Sequence, residues 1–333
     1  MREQMTTPPP RRRTRGLFIA SLASLCFGAS LVVNKVGLAQ SALTPLEYST
    51  LSVIVAGMLG CCLAVPKRAA VFACSRGCWR TILFLGVTAS GFAYALMFLG
   101  QSLTTAINAG FLLSLSGFFT MIFAALFLRE VIEKRKYVFI LTLFIGIYLL
   151  LVGAHVLQFN TGDLLVVIAA MMLGGTNVLS KLALREMEGE LVASLRLIVG
   201  AILLLRLLLV RLPRVLTAPQ GLTGWFLGSG VLMWGFTVGL YRAIAIAGAT
   251  MGTLVTISYP VVSTMGSILF LNEEVAVQDA VRGVLILWSL YTRLLPVVPS
   301  RVGGGAQRTG FHGDIGAPVS HNRTTHRREA VVA

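Results

Sequence analysis

A chain of 333 residues that is 56% hydrophobic and only 12% charged, with a mean hydropathy of +0.82, has too little polar surface to cover a soluble core. Soluble domains carry roughly twice that share of charge, so the composition specifies a membrane protein. The net charge of +15 sits largely in two tails and short loops, which suits orientation in a bilayer and leaves no compact basic domain to bind nucleic acid.

Residues 1–15 are rich in Pro and Arg and are expected to form a disordered basic arm beside anionic lipid headgroups. The apolar stretch that follows is long and lacks a convincing cleavage site, which argues against a signal peptide. Windows of about twenty apolar residues then give ten expected helices. Five fall at 16–37, 45–65, 80–101, 104–128 and 137–154, and five more at 162–182, 190–210, 223–243, 250–271 and 281–298. The tenth is the weakest, because Arg282 and Arg293 bracket only about ten uninterrupted residues and must snorkel if it is to span. Residues 299–333 turn Gly-, Arg- and His-rich and are expected to be a disordered tail.

An internal repeat organises these helices. Phe98–Glu130 aligns without a gap on Tyr241–Glu273, and both close on Phe-Leu-x-Glu. Upstream, Gly28, Val32 and Lys35 return with the same mutual spacing as Gly174, Val178 and Lys181. Each copy, 16–154 and 162–298, holds five apolar segments. Because five is odd, the second copy enters the membrane from the opposite side. The expected fold is an all-α membrane protein of ten transmembrane helices in two inverted five-helix repeats, an arrangement by which many secondary transporters build two equivalent gates around one site.

Cations set the orientation. Arg11, Arg12, Arg13 and Arg15 precede the first helix; Lys67, Arg68, Arg76 and Arg80 fill the second loop; Lys134, Arg135 and Lys136 fill the fourth. The connections 38–44, 101–103 and 155–161 have neither Lys nor Arg. The positive-inside rule therefore places both termini in the cytoplasm, with the protein in a plasma or inner membrane. Arg211 and Arg214 fit this topology poorly, and the strongly signed first half is taken to dictate it.

Charge inside a membrane costs about 2.5–3.5 kcal/mol at a helix centre on insertion scales, so each instance needs a reason. Lys35 ends the first helix and Glu47 begins the second; Lys181 ends the sixth and Glu190 begins the seventh. Two readings stand: a Lys–Glu gate at each mouth, or four helix-end charges that snorkel to the headgroups. Arg196 lies deeper in the seventh helix, either attracting an anion into a cavity or pairing with Glu190 or Glu188. Uncharged candidates for a solute pathway are Tyr94, Thr105, Asn108, Asn177, Trp234, Tyr241, Ser258 and Tyr259. Their alternative is ordinary hydrogen bonding between helices. Gly248 and Gly252 in the ninth helix, with Gly110 and Ser114 in the fourth, signal close packing. Asp163 and His155 are proton-relay candidates whose simpler reading is surface residues of a short loop.

The motifs in order are Phe27-Gly28-Ala29-Ser30 with Lys35, then Thr44-Pro45-Leu46-Glu47, then the two Phe-Leu-x-Glu closes, and last Tyr259-Pro260 with Glu273 and Gly283. Together they resemble the EamA-like family of the drug/metabolite transporter superfamily over residues 17–298. Gly117 stands where that pattern has Pro in the first repeat, and Ser52 stands where the second repeat has Arg196. The resemblance implies a permease that moves small metabolites or drugs by alternating access, commonly as efflux. The departures keep a non-transporting partner subunit or degenerate paralogue as the alternative.

Catalytic signatures are missing: there is no His-Glu-x-x-His, no Gly-x-Ser-x-Gly elbow and no phosphate-binding Gly-Lys-Ser/Thr loop. No enzyme, cofactor or metal is therefore expected, and Cys74 and Cys78 read as reduced thiols. The expected partners are a small-molecule substrate and membrane lipid. Whether the chain forms a homodimer is open.

Overall fold

The computed structural model describes residues 10–128, 160–216, 223–247 and 258–271, all within one compact unit. The described residues are helical throughout apart from short connections. The helices are α1 (Pro10–Gln40), α2 (Pro45–Ala64), α3 (Arg68–Phe72), α4 (Arg76–Leu85), α5 (Tyr94–Leu103), α6 (Ala106–Leu128), α7 (Thr161–Ala183), α8 (Gly189–Leu216), α9 (Thr223–Ala247) and α10 (Tyr259–Leu271). A π-helical segment, Gly86–Ala93, joins α4 to α5 as one continuous third span. The expected helices at 137–154 and 281–298 lie outside the described residues, as do 1–9 and the tail from 299.

Among the described residues six helical stretches are long and apolar enough to cross a membrane: Arg15–Gln40, Pro45–Phe72, Arg76–Leu103, Ala106–Phe127, Thr161–Ala183 and Gly224–Ile246. Helix α8 is long too, but it carries Glu190, Arg196 and Arg206 within residues 189–206. One expectation needs correcting. Residues 10–15, read as part of a disordered arm, are the first turns of α1. Pro is well tolerated in a first helical turn, and Arg is a good helix former.

Local signals explain where the helices start. Thr44 and Glu47 form a reciprocal capping box at α2: the Thr44 N–H donates to Glu47 Oε2 at 2.8 Å, and the Glu47 N–H donates to Thr44 Oγ1 at 3.4 Å. Asn160 and Asp163 repeat the device at α7, with the Asp163 N–H donating to Asn160 Oδ1 at 2.9 Å. Ser75 caps α4 by accepting from the Cys78 N–H at 3.1 Å. Each cap satisfies donors that the first helical turn leaves unpaired.

Helix faces divide cleanly. On α1, Ala20, Ala23, Phe27 and Leu31 are buried, whereas Phe18, Leu22 and Leu25 are exposed. Exposed Phe84, Phe92 and Leu99 continue this apolar rind on the third span. In water such a surface would aggregate; in lipid it is the expected exterior.

The two halves interlock. Helix α2 packs on α8; α1 packs on α9, and the third span on α7; α6 packs on α7, and α1 on α10. The α2–α9 contact is likewise matched by contact between the third span and α8. Each of these pairings thus has a counterpart when the halves are exchanged. Directions follow from close approaches. Gly57 sits against Ala201 and Gly60 against Ser194, so α2 and α8 run antiparallel. Gly86 sits against Val199 and Gly91 against Leu203, so the third span and α8 run parallel. At the latter crossing a Cβ on Gly200 would collide with Ser90. The absence of side chains there is what lets α8 lie directly on the π segment.

Candidate functional site

Where the third span, α8 and α9 meet, Arg196 is buried to 1% exposure. Its Nε donates to Ser90 Oγ at 3.0 Å, Nη1 to the Tyr241 hydroxyl at 2.9 Å and Nη2 to the Tyr94 hydroxyl at 2.7 Å. The guanidinium carbon also lies 5.4 Å from the Tyr94 ring centroid and 5.2 Å from that of Tyr241, within reach of both π faces. Thr237 Oγ1 donates to the Met233 carbonyl at 2.8 Å, so in its 3.1 Å contact with Tyr94 it accepts the phenol proton. The relay runs Arg196 to Tyr94 to Thr237 to backbone.

This hub joins three separately predicted residues, Tyr94, Arg196 and Tyr241, and adds two that the sequence reading missed. Ser90 lies halfway along the third span inside the π segment, a distortion frequent at functional sites. Thr237 was legible in principle. It stands from Tyr94 at the offset that relates Phe98 to Tyr241 in the repeat.

The expected alternative partners of Arg196 are corrected. Glu188 and Glu190 sit at the end of the bundle and face other cations: Lys67 Nζ lies 2.5 Å from Glu188 and 3.7 Å from Glu190, and Arg242 Nη2 lies 2.7 Å from Glu190. Nearby, Ser75 donates to Glu186 through its N–H at 3.0 Å and its hydroxyl at 2.8 Å. The connection after α2 is thereby tied to the α7–α8 connection. The hydrogen bond from Lys67, reinforced by its charge, holds the Glu188 carboxyl below the ordinary carboxylate range. Cys74 and Cys78, expected as thiols, are joined as a disulfide in this loop. Glu186 lies beside them.

At the opposite end a second polar cluster forms. Lys35 Nζ donates to the carbonyls of Gln101 at 2.9 Å and Thr104 at 2.6 Å, at the C-terminus of α5 where a cation is favoured. Glu47 serves the α2 cap. Thr104 Oγ1 donates to Asp163 Oδ1 at 2.6 Å, which gives Asp163 a buried structural role. Asn34 bridges Ser229, whose hydroxyl donates to its Oδ1 at 2.5 Å, and Gln101 at 3.4 Å. Of the four gate candidates, Lys181 lies half-buried near the end of α7.

The remaining pathway candidates are dispersed. Thr105 is exposed and caps α6, accepting from the Asn108 N–H at 3.1 Å. Asn177 is buried in α7. The Trp234 Nε1 is buried without a hydrogen-bond partner among the described residues. Ser258 meets Ser24 at 2.7 Å. Tyr259 packs edge-on against Phe27 with centroids 4.7 Å apart.

The described residues form a multi-pass helical membrane protein with a buried, charged polar hub. The family is specific. The model of the EamA-like transporter family matches residues 14–152 and again 160–294, and the chain belongs to that family. A curated relative described as an uncharacterized transporter, from Methanothermobacter thermautotrophicus, is 26% identical over 302 residues, covering 84% of this chain and 86% of its own. A solved crystal structure shares the fold with a TM-score of 0.63 at 17% identity, covering 86% of this chain and 98% of its own.

Proposed function

We propose that the chain is a secondary transporter of the drug/metabolite type that moves small solutes, outward in the cell, by alternating access between its two halves. In this reading ten spans form two inverted five-helix repeats, with both termini in the cytoplasm of a cell bounded by this membrane. The observation that carries it is the hub shared by both halves, in which Tyr94 touches its repeat counterpart Thr237 beside a fully buried arginine. Intramembrane charge at such a position marks a solute path by default. Support for inversion comes from α2 and α8, which occupy equivalent places and run antiparallel. Buried hydroxyls of Ser49, Ser52 and Ser194, which have no hydrogen-bond partner among the described residues, add polar groups along α2 and α8.

Gating follows from the two ends. The Lys67–Glu188 and Ser75–Glu186 contacts tie the halves at the cation-rich end, and the Thr104–Asp163 and Ser229–Asn34 contacts tie them at the other, beside Lys35. Alternating access requires these ties to release in turn. The test is counterflow into liposomes containing the purified chain, screened against labelled amino acids, nucleosides and sugars with and without a pH gradient. Accumulation above protein-free vesicles supports a carrier. Saturable binding without flux would instead indicate a partner subunit.

A further inference from the structure

Resting on the carrier reading, we propose that the transported solute carries a carboxylate, which takes the place of the tyrosine hydroxyls on Arg196. The argument begins with charge balance. A guanidinium stays protonated in a protein, and at 1% exposure it has lost its hydration. Buried cations are usually matched by a carboxylate, because breaking such a pair leaves a costly unmatched charge. Arg196 has none. Its three contacts are neutral hydroxyls of Ser90, Tyr94 and Tyr241, which accept hydrogen bonds but cancel no charge. Glu188 and Glu190 are engaged at the end of the bundle, about 10 Å away along α8 at 1.5 Å per residue.

The geometry also defines what would fit. Of five guanidinium N–H groups, three are used, leaving one on each of Nη1 and Nη2. A carboxylate drawn in by this unused pair contributes the missing negative charge and competes with the phenol oxygens for the same two nitrogens, Nη1 and Nη2. A phosphate monoester carries about −1.5 to −2 at neutral pH and would call for a second cation. None stands against the hub among the described residues. The phenols therefore act as placeholders that hold the guanidinium in its buried position until a stronger acceptor arrives.

The test uses the purified full chain in detergent and matched solutes differing only at the acid: pyruvate against pyruvamide, benzoate against benzamide, and N-acetylglycine against its amide, with chloride as the ionic control. Ligand-dependent thermal stabilisation is measured for each. The expected result is that at least one acid binds roughly ten- to a hundredfold tighter than its amide, with the preference lost in Arg196→Gln and weakened in Arg196→Lys. Equal binding of acid and amide in every wild-type pair, or no binding by any acid, overturns the assignment without recourse to a variant that might misfold. The matched liposome assay separates the two claims. Flux of neutral solutes with no preference for acids would remove the carboxylate and leave the carrier standing. Acid-selective binding with no flux of any solute would keep the anion site and remove the carrier.

Discussion

Replacing each hub tyrosine by Phe isolates one hydrogen bond while leaving the ring against the guanidinium. Tyr241→Phe removes the acceptor at 2.9 Å from Nη1, and Tyr94→Phe removes the one at 2.7 Å from Nη2. Hydrogen bonds to a charged group contribute about 1.5–3 kcal/mol, and the orphaned donor here is fully buried. Tyr94 also donates to Thr237, so its loss should cost about 1 kcal/mol more than that of Tyr241. Both act on one guanidinium, so the double variant should deviate from additivity by at least about 0.5 kcal/mol. Equilibrium unfolding from mixed micelles measures all three. Costs below about 0.5 kcal/mol for both single variants, as for a surface substitution, would refute the claim that these hydroxyls hold the arginine.

Three further outcomes follow from the same geometry. Gly200→Ala places a methyl into Ser90 and should cost about 1–3 kcal/mol in the same unfolding assay, as overpacked sites do. Asp163→Ala removes the carboxylate half of the α7 capping box and the acceptor for Thr104, for a loss of about 1–3 kcal/mol. Glu188 has a lowered carboxyl pKa when folded, so its small contribution is fully present above the ordinary carboxylate range and disappears as pH falls through the folded value. Stability measured between pH 7 and 3 should show this acid limb, and Glu188→Gln should flatten it.

Much of the fold was legible because membrane helices announce themselves by length and apolarity. Thr44-Pro45-Leu46-Glu47 marked the start of α2, but Glu47 was read as a gate or headgroup charge and its part in the cap was not seen. The arm was misjudged because Arg11 to Arg15 look like a charge run, although arginine extends a helix readily. At the site, Tyr94, Arg196 and Tyr241 were each visible as polar residues in apolar runs, but their convergence was not. It depends on which way three helices are rotated, and the π segment adds a register shift ahead of Tyr94 that a 3.6-residue period does not predict. Ser90 escaped notice because a serine within a glycine- and alanine-rich stretch reads as packing. The ties at the cation-rich end escaped for a different reason. Lys67 and Arg242 reach Glu188 and Glu190 across helices far apart in sequence, whereas the sequence reading paired Glu190 with Lys181 or Arg196 and Glu188 with Arg196.

Access to the hub from both sides of the membrane tests the transport mechanism most directly. Thr237→Cys, in a chain whose five native cysteines are replaced by serine, puts a thiol of similar size beside Tyr94. Reconstituted in oriented vesicles, it should react with a membrane-impermeant thiol reagent from either side, and a transported solute should protect it. A thiol that is unreactive from both sides, in protein that unfolds like the parent, would contradict a central path that opens alternately.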